Sequence, residues 1–129
     1  MDDLRLTLDH RTPTSLVRRL TKRALHRWHL AGRADDVLLV ITELVQNVTA
    51  HTADGGELCL AVTDDTILIE VTDTDPHAPE LRRPAPNQIG GRGLLLIASV
   101  ARRWGCRPSA WAGRAGKTVW AELAVALPC

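Results

Sequence analysis

Apolar positions along the chain switch between a helical period and a strand period, and the longest helical stretch organises the rest. From Asp36 to Thr52, DVLLVITELVQNVTAHT, the residues Val37, Ile41, Leu44, Val45 and Val48 fall on one face at about 100° per residue, which predicts a helix packed on a core. Before it, Leu4, Leu6 and Leu8 alternate with polar residues as in a half-buried strand. Thr12-Pro13 then reads as an N-cap followed by proline at the first helical position, opening a helix with Leu16, Leu20, Ala24 and Trp28 at four-residue spacing. Ala31-Gly32 is expected to close that helix, and Asp35 or Asp36 to cap the next.

After the turn Ala53-Asp54-Gly55-Gly56 come two strand patterns, Glu57 to Thr63 and Thr66 to Thr72, with Asp64-Asp65 between them as a hairpin turn. The second strand runs into Asp73. Residues 74 to 89 hold four of the seven prolines and no periodicity, so they read as a loop. Gly90-Gly91-Arg92-Gly93 opens directly into the apolar run Leu94, Leu95, Leu96, Ile97, Val100, Ala101. Two further strands, Cys106 to Trp111 and Lys117 to Leu127, are joined by Ala112-Gly113-Arg114-Ala115-Gly116.

The organising helix also carries a polar stripe. Asp36, Glu43 and Asn47 lie within an arc of about 40°, and His51 extends it by another turn. Such a stripe either faces water or lines a site. A Glu and an Asn one turn apart suit a hydroxyl and a Mg²⁺ beside a phosphate. The glycine-bearing segment at 90–93 is a place where backbone amides at a helix start, with Arg92, could meet an anion.

Composition narrows the function classes. The chain has 129 residues, 45% hydrophobic and 24% charged, which fits one soluble domain over residues 1–129 with a sizeable core. Aromatic content is 3%, four Trp and no Phe or Tyr, so stacking platforms for bases are scarce, and a net charge of +1 argues against direct nucleic-acid binding. Residues 1 to 33 nevertheless hold eight Lys/Arg against three Asp, either a solvated helix face or a docking surface for an acidic partner. Three cysteines without metal-ligand spacing, and no leader or apolar run of transmembrane length, point to a reduced cytoplasmic protein with no membrane partner.

Two motif lookalikes fail on inspection. Gly113-Arg114-Ala115-Gly116-Lys117-Thr118 ends like a P-loop, but the first glycine of that motif would fall on Trp111, and the residues after Thr118 alternate like a strand instead of opening a helix. Gly90-Gly91-Arg92-Gly93 lacks the spacing of a dinucleotide fingerprint and does not come after a strand.

Taken together, the segments resemble the GHKL-type ATP-binding domains, and among them the small anti-sigma-factor serine/threonine kinases and their actinobacterial relatives. Ile41 to His51, with Glu43, Asn47 and His51 in register, is similar to that family's N-box. Val71-Thr72-Asp73-Thr74-Asp75-Pro76 stands where its adenine-binding box lies, Gly91-Arg92-Gly93-Leu94 resembles its second glycine box, and Gly116-Lys117-Thr118-Val119-Trp120 its last box. The resemblance covers nearly the whole chain.

It implies a two-layer α/β sandwich with a mixed, largely antiparallel sheet and helices on one face, the GHKL (Bergerat) fold. It also implies Glu43 as the catalytic residue, Asn47 as the Mg²⁺ ligand, Asp73 as acceptor for the adenine amino group, Gly91, Arg92, Gly93 and Leu94 around the phosphates, and Thr118 near the base. Lys117 reads as a solvated strand-end lysine. The implied ligands are ATP and Mg²⁺. The implied partners are a small antagonist (anti-anti-sigma-like) protein and a sigma factor, with room for a homodimer. The implied activity is phosphorylation of serine or threonine on the antagonist. One departure stands out: many GHKL proteins carry glycines after the adenine-binding aspartate, and here Thr74, Asp75, Pro76 and His77 stand there. That departure bears on nucleotide affinity and keeps open a binding module without phosphoryl transfer.

Overall fold

A computed structural model describes residues 2–51, 55–75, 93–111 and 113–126. In chain order these form β1 (Asp2–Leu8), α1 (Thr14–Arg27), a 3₁₀ turn (Ala31–Arg33), α2 (Ala34–His51), β2 (Gly56–Val62), β3 (Thr66–Asp73), α3 (Gly93–Val100), β4 (Arg103–Trp111) and β5 (Arg114–Ala124). The five strands make one sheet in the order β1-β2-β3-β5-β4, and all four pairings are antiparallel.

Strand alternation decides which side chains reach the core. Leu58 and Leu60 of β2, Ile67, Ile69 and Val71 of β3, and Val119, Ala121 and Leu123 of β5 are buried, and the registers Leu58↔Val71, Leu60↔Ile69, Ile69↔Ala121 and Val71↔Val119 put them on one face. Val17 and Leu25 of α1, the apolar positions of α2 and Ile97 of α3 join the same cluster, so the helices form a second layer on that face. The opposite face carries the ion pairs Arg5–Glu57 (3.3 Å), Arg103–Glu122 (3.6 Å) and Arg107–Glu70, a polar cross-strand lattice suited to water.

In α2 all five expected positions, Val37, Ile41, Leu44, Val45 and Val48, are buried. Leu38 and Val40 are buried as well. The wider apolar arc reflects its position: α2 packs against both α1 and α3 as well as the sheet, so three sides of it lie in the core.

Several helix boundaries differ from expectation. Pro13 takes the N-cap place of α1 with an extended backbone (φ −68°, ψ 133°), and the helix starts at Thr14. Thr12 closes a local turn instead, its hydroxyl accepting from the Asp9 amide at 2.9 Å. The core face of α1 is centred on Val17, Thr21, Ala24 and Leu25, because a four-residue step advances about 40° and a stripe built only from such steps drifts off the face. The helix ends in a Schellman-type cap: His29 takes the left-handed conformation (φ 60°) and the Leu30 amide donates to the Leu25 carbonyl at 2.7 Å.

Ala31 and Gly32 therefore belong to the 3₁₀ turn that leads into α2, and Asp35 and Asp36 fall in the first turn of α2, where negative charge opposes the positive helix end. Asp36 takes a 2.8 Å bond from Arg33, and the buried Arg33 Nε donates to the Ala124 carbonyl at 2.9 Å, tying the start of α2 to the end of β5.

Candidate functional site

On β3 the alternation that buries Ile67, Ile69 and Val71 brings one more residue to the helix-facing side at the end of the strand, and it is a carboxylate. Asp73 is 4% exposed. A buried carboxylate costs several kcal/mol unless a counter-charge and hydrogen bonds replace its water. The β3–β5 register supplies the charge, since Asp73 lies opposite Lys117. The Lys117 ammonium, itself buried, donates to both carboxylate oxygens at 3.0 Å and to the Asp75 carbonyl at 3.1 Å. The Asp75 amide adds a 2.9 Å bond to Asp73 Oδ1.

Two glycines let the neighbouring strands close on this point. A Cβ at Gly56 of β2 would lie 1.9 Å from the Thr72 carbonyl oxygen, and one at Gly116 of β5 would lie 1.8 Å from that of Asp73. Both are backbone contacts that no side-chain rotation relieves.

Lys117 is thus not the solvated strand-end lysine expected from the sequence. Thr118 turns the other way. It and Thr72 sit one residue along from the Lys117–Asp73 pair, so both point to the face opposite the helices, where their hydroxyls share a 2.7 Å hydrogen bond. The structure therefore brings Lys117, and not Thr118, to the Asp73 carboxylate. The only sequence signal for this is the register itself, Asp73 ending one strand and Lys117 near the start of another.

Glu43 lies on α2, one turn before Asn47, and is half-buried. Burial raises its carboxyl above the ordinary carboxylate value, which makes it a stronger proton acceptor. Beside it, Thr42 accepts a 2.9 Å bond from Arg18 of α1, so the basic helix is attached to α2 next to Glu43. The side chains of Asn47 and His51, and the residues Gly91 and Arg92 with the proline-bearing stretch from Pro76 onward, lie outside the described residues. Gly93 begins α3 and Leu94 comes next in the helix.

A buried acceptor at a strand end, a helix with a half-buried glutamate and an asparagine one turn on, and a glycine-opened helix make up the layout. The family of histidine kinase-like ATPase domains matches the chain over residues 8–123. The chain belongs to that family. Membership of the histidine kinase-like ATPases assigns it a regulatory ATP-binding role, and the five-stranded antiparallel sheet with its helix layer agrees with their α/β fold. No curated protein matches the chain. Among the described residues, no helix of this ATPase domain is long and apolar enough to cross a membrane.

Proposed function

We propose that the chain is a regulatory protein serine/threonine kinase that uses Mg-ATP to phosphorylate a small antagonist protein, acting in the cytoplasm with a sigma factor as its second partner. The observation that carries the reading is Glu43: a half-buried carboxyl, raised by its burial, on the same stripe as Asn47 and one turn from it. ATP supplies the phosphoryl group. Glu43 would take the proton from the acceptor hydroxyl, and a raised carboxyl is the form suited to that task.

The donor chemistry fits the ligands. Asp73, a carboxyl acceptor, suits the amino group of adenine, and the carboxamide oxygen of Asn47 suits a hard cation that keeps several waters. Gly91, Arg92, Gly93 and Leu94 would surround the phosphates, which free amides at the start of α3 favour. The basic side of α1 supports a protein substrate. Arg18, Arg19, Lys22 and Arg23 line one groove with Thr14 and Ser15, and Arg18 touches Thr42, so an acidic partner docked there would stand beside Glu43.

A nucleotide-responsive binding module without transfer is the second reading, favoured by the segment after Asp73. There Asp75 stands at the first glycine place of an Asp-x-Gly-x-Gly pattern, and it is tied through its amide to Asp73 and through its carbonyl to Lys117. Incubation of the wild-type and Glu43→Gln proteins with radiolabelled ATP, Mg²⁺ and candidate antagonist proteins separates the two. The kinase reading expects label on a serine or threonine of the antagonist with the wild type and a loss of about 10²- to 10⁴-fold with Glu43→Gln at unchanged ATP affinity. Bound ATP without transfer to any candidate supports the binding module.

A further inference from the structure

We infer that Lys117 determines which purine the site accepts, by leaving the Asp73 carboxylate with an open acceptor position and no spare donor beside it. This rests on the nucleotide reading above and adds a residue to it.

The donors and acceptors at the pair can be counted. A carboxylate offers about four acceptor positions on its two oxygens, and an ammonium offers three hydrogens and accepts nothing. Among the described residues, Oδ1 of Asp73 takes the Asp75 amide at 2.9 Å and Lys117 Nζ at 3.0 Å, whereas Oδ2 takes only Lys117 Nζ at 3.0 Å. Within that set, one position on Oδ2 is open. On the lysine the count closes, because Asp73 Oδ1, Asp73 Oδ2 and the Asp75 carbonyl use all three hydrogens. With Lys117 9% exposed and held at three points, the ammonium has no ready second position.

Among the described residues, a base edge that meets this pair finds an acceptor and no free N–H. A 6-amino purine places an N–H there and gains a charge-assisted bond. A 6-oxo purine places a carbonyl oxygen there, against a carboxylate oxygen, with neither able to donate. The hydroxyl that could have relieved the mismatch, that of Thr118, faces the other side of the sheet and is engaged with Thr72. Lys117 is in this sense a positioning residue: it holds the Asp73 carboxylate in place, and its own hydrogens are taken.

The test is calorimetric titration of the intact chain, in the presence of Mg²⁺, with ADP and with inosine diphosphate, which differ at the 6-position in carrying an amino or an oxo group. The wild type is expected to prefer ADP by about 10²-fold or more, toward the roughly 10⁴- to 10⁵-fold by which a site built for one hydrogen-bonding group rejects an analogue lacking it. Lys117→Met removes the cation, and a buried carboxylate without its partner takes up a proton and becomes a donor. Lys117→Arg keeps the charge and brings five N–H groups where three acceptors are filled, leaving donors for an oxo group. In both variants the preference should fall below about tenfold.

A purely structural lysine would weaken both nucleotides together and leave the ratio alone. An unchanged ratio in Lys117→Arg, which carries the test should Lys117→Met fail to fold, overturns the assignment while leaving the nucleotide site intact. A wild type that binds neither nucleotide overturns the nucleotide reading itself, and this inference with it.

Discussion

Lys117 Nζ stands 3.0 Å from each carboxylate oxygen of Asp73, and the two residues are direct cross-strand partners on β5 and β3. Both are nearly out of water, so each is tolerated because the other is present. Asp73→Asn and Lys117→Met should each destabilise the fold by about 3–5 kcal/mol, and the double variant should cost clearly less than the sum of the two. Urea unfolding of the four proteins measures this directly. Additive losses would mean that the pair does not interact as drawn.

The glycines on either side of Asp73 carry a separate prediction. A methyl at Gly116 or Gly56 would overlap a backbone carbonyl at 1.8 or 1.9 Å, so either change to alanine should cost more than about 2 kcal/mol and disturb nucleotide binding. Gly32, with nothing within 4 Å of its added Cβ, serves as the control, and Gly32→Ala should stay within about 0.5 kcal/mol. Thermal or urea melts of the three variants give the comparison.

Glu43 makes stability depend on pH in a definite direction. Burial raises its carboxyl in the folded state, so the folded chain binds that proton more tightly than the unfolded chain does. The favourable contribution is complete below the ordinary glutamate value and is lost as pH rises through the raised one. Glu43→Gln cannot ionise, so its melting temperature relative to wild type should climb between about pH 4 and pH 7. The side chain is only half-buried, which keeps the effect small. A relative melting temperature that falls over that range would contradict the assignment of the shift to burial.

Thr21 on α1 is fully buried, and among the described residues its hydroxyl has no hydrogen-bond partner. Burying an unpaired hydroxyl costs about 1–3 kcal/mol, and valine has nearly the same shape without that group. Thr21→Val should raise the melting temperature. A lower one would mean that the hydroxyl is bonded in solution.

The parts of this structure that were legible in the sequence are those set by short-range patterns. The buried face of α2 comes from residues three and four apart, and the β2–β3 hairpin from two runs around Asp64-Asp65, closed by the Thr63 amide on the Thr66 carbonyl at 2.9 Å. Which box carries which ligand role is a different matter. Lys117 reads as solvated because lysine at a strand end usually is, and only the pairing of β5 with a strand 44 residues earlier puts it beside a carboxylate. A one-residue shift in that register would exchange Lys117 for Thr118 on the helix-facing side. The same holds for Arg33, buried through a bond to the distant Ala124 carbonyl.

The most direct test of an ATP site built from α2, the end of β3 and the start of α3 is amide hydrogen exchange on the intact protein, with and without Mg-ATP. Nucleotide is expected to slow exchange at the end of β3 around Asp73, in α2 from Glu43 to Asn47, and at the start of α3 from Gly93, all in the same titration. Exchange unchanged at saturating nucleotide, or protection confined to other parts of the chain, would contradict that site.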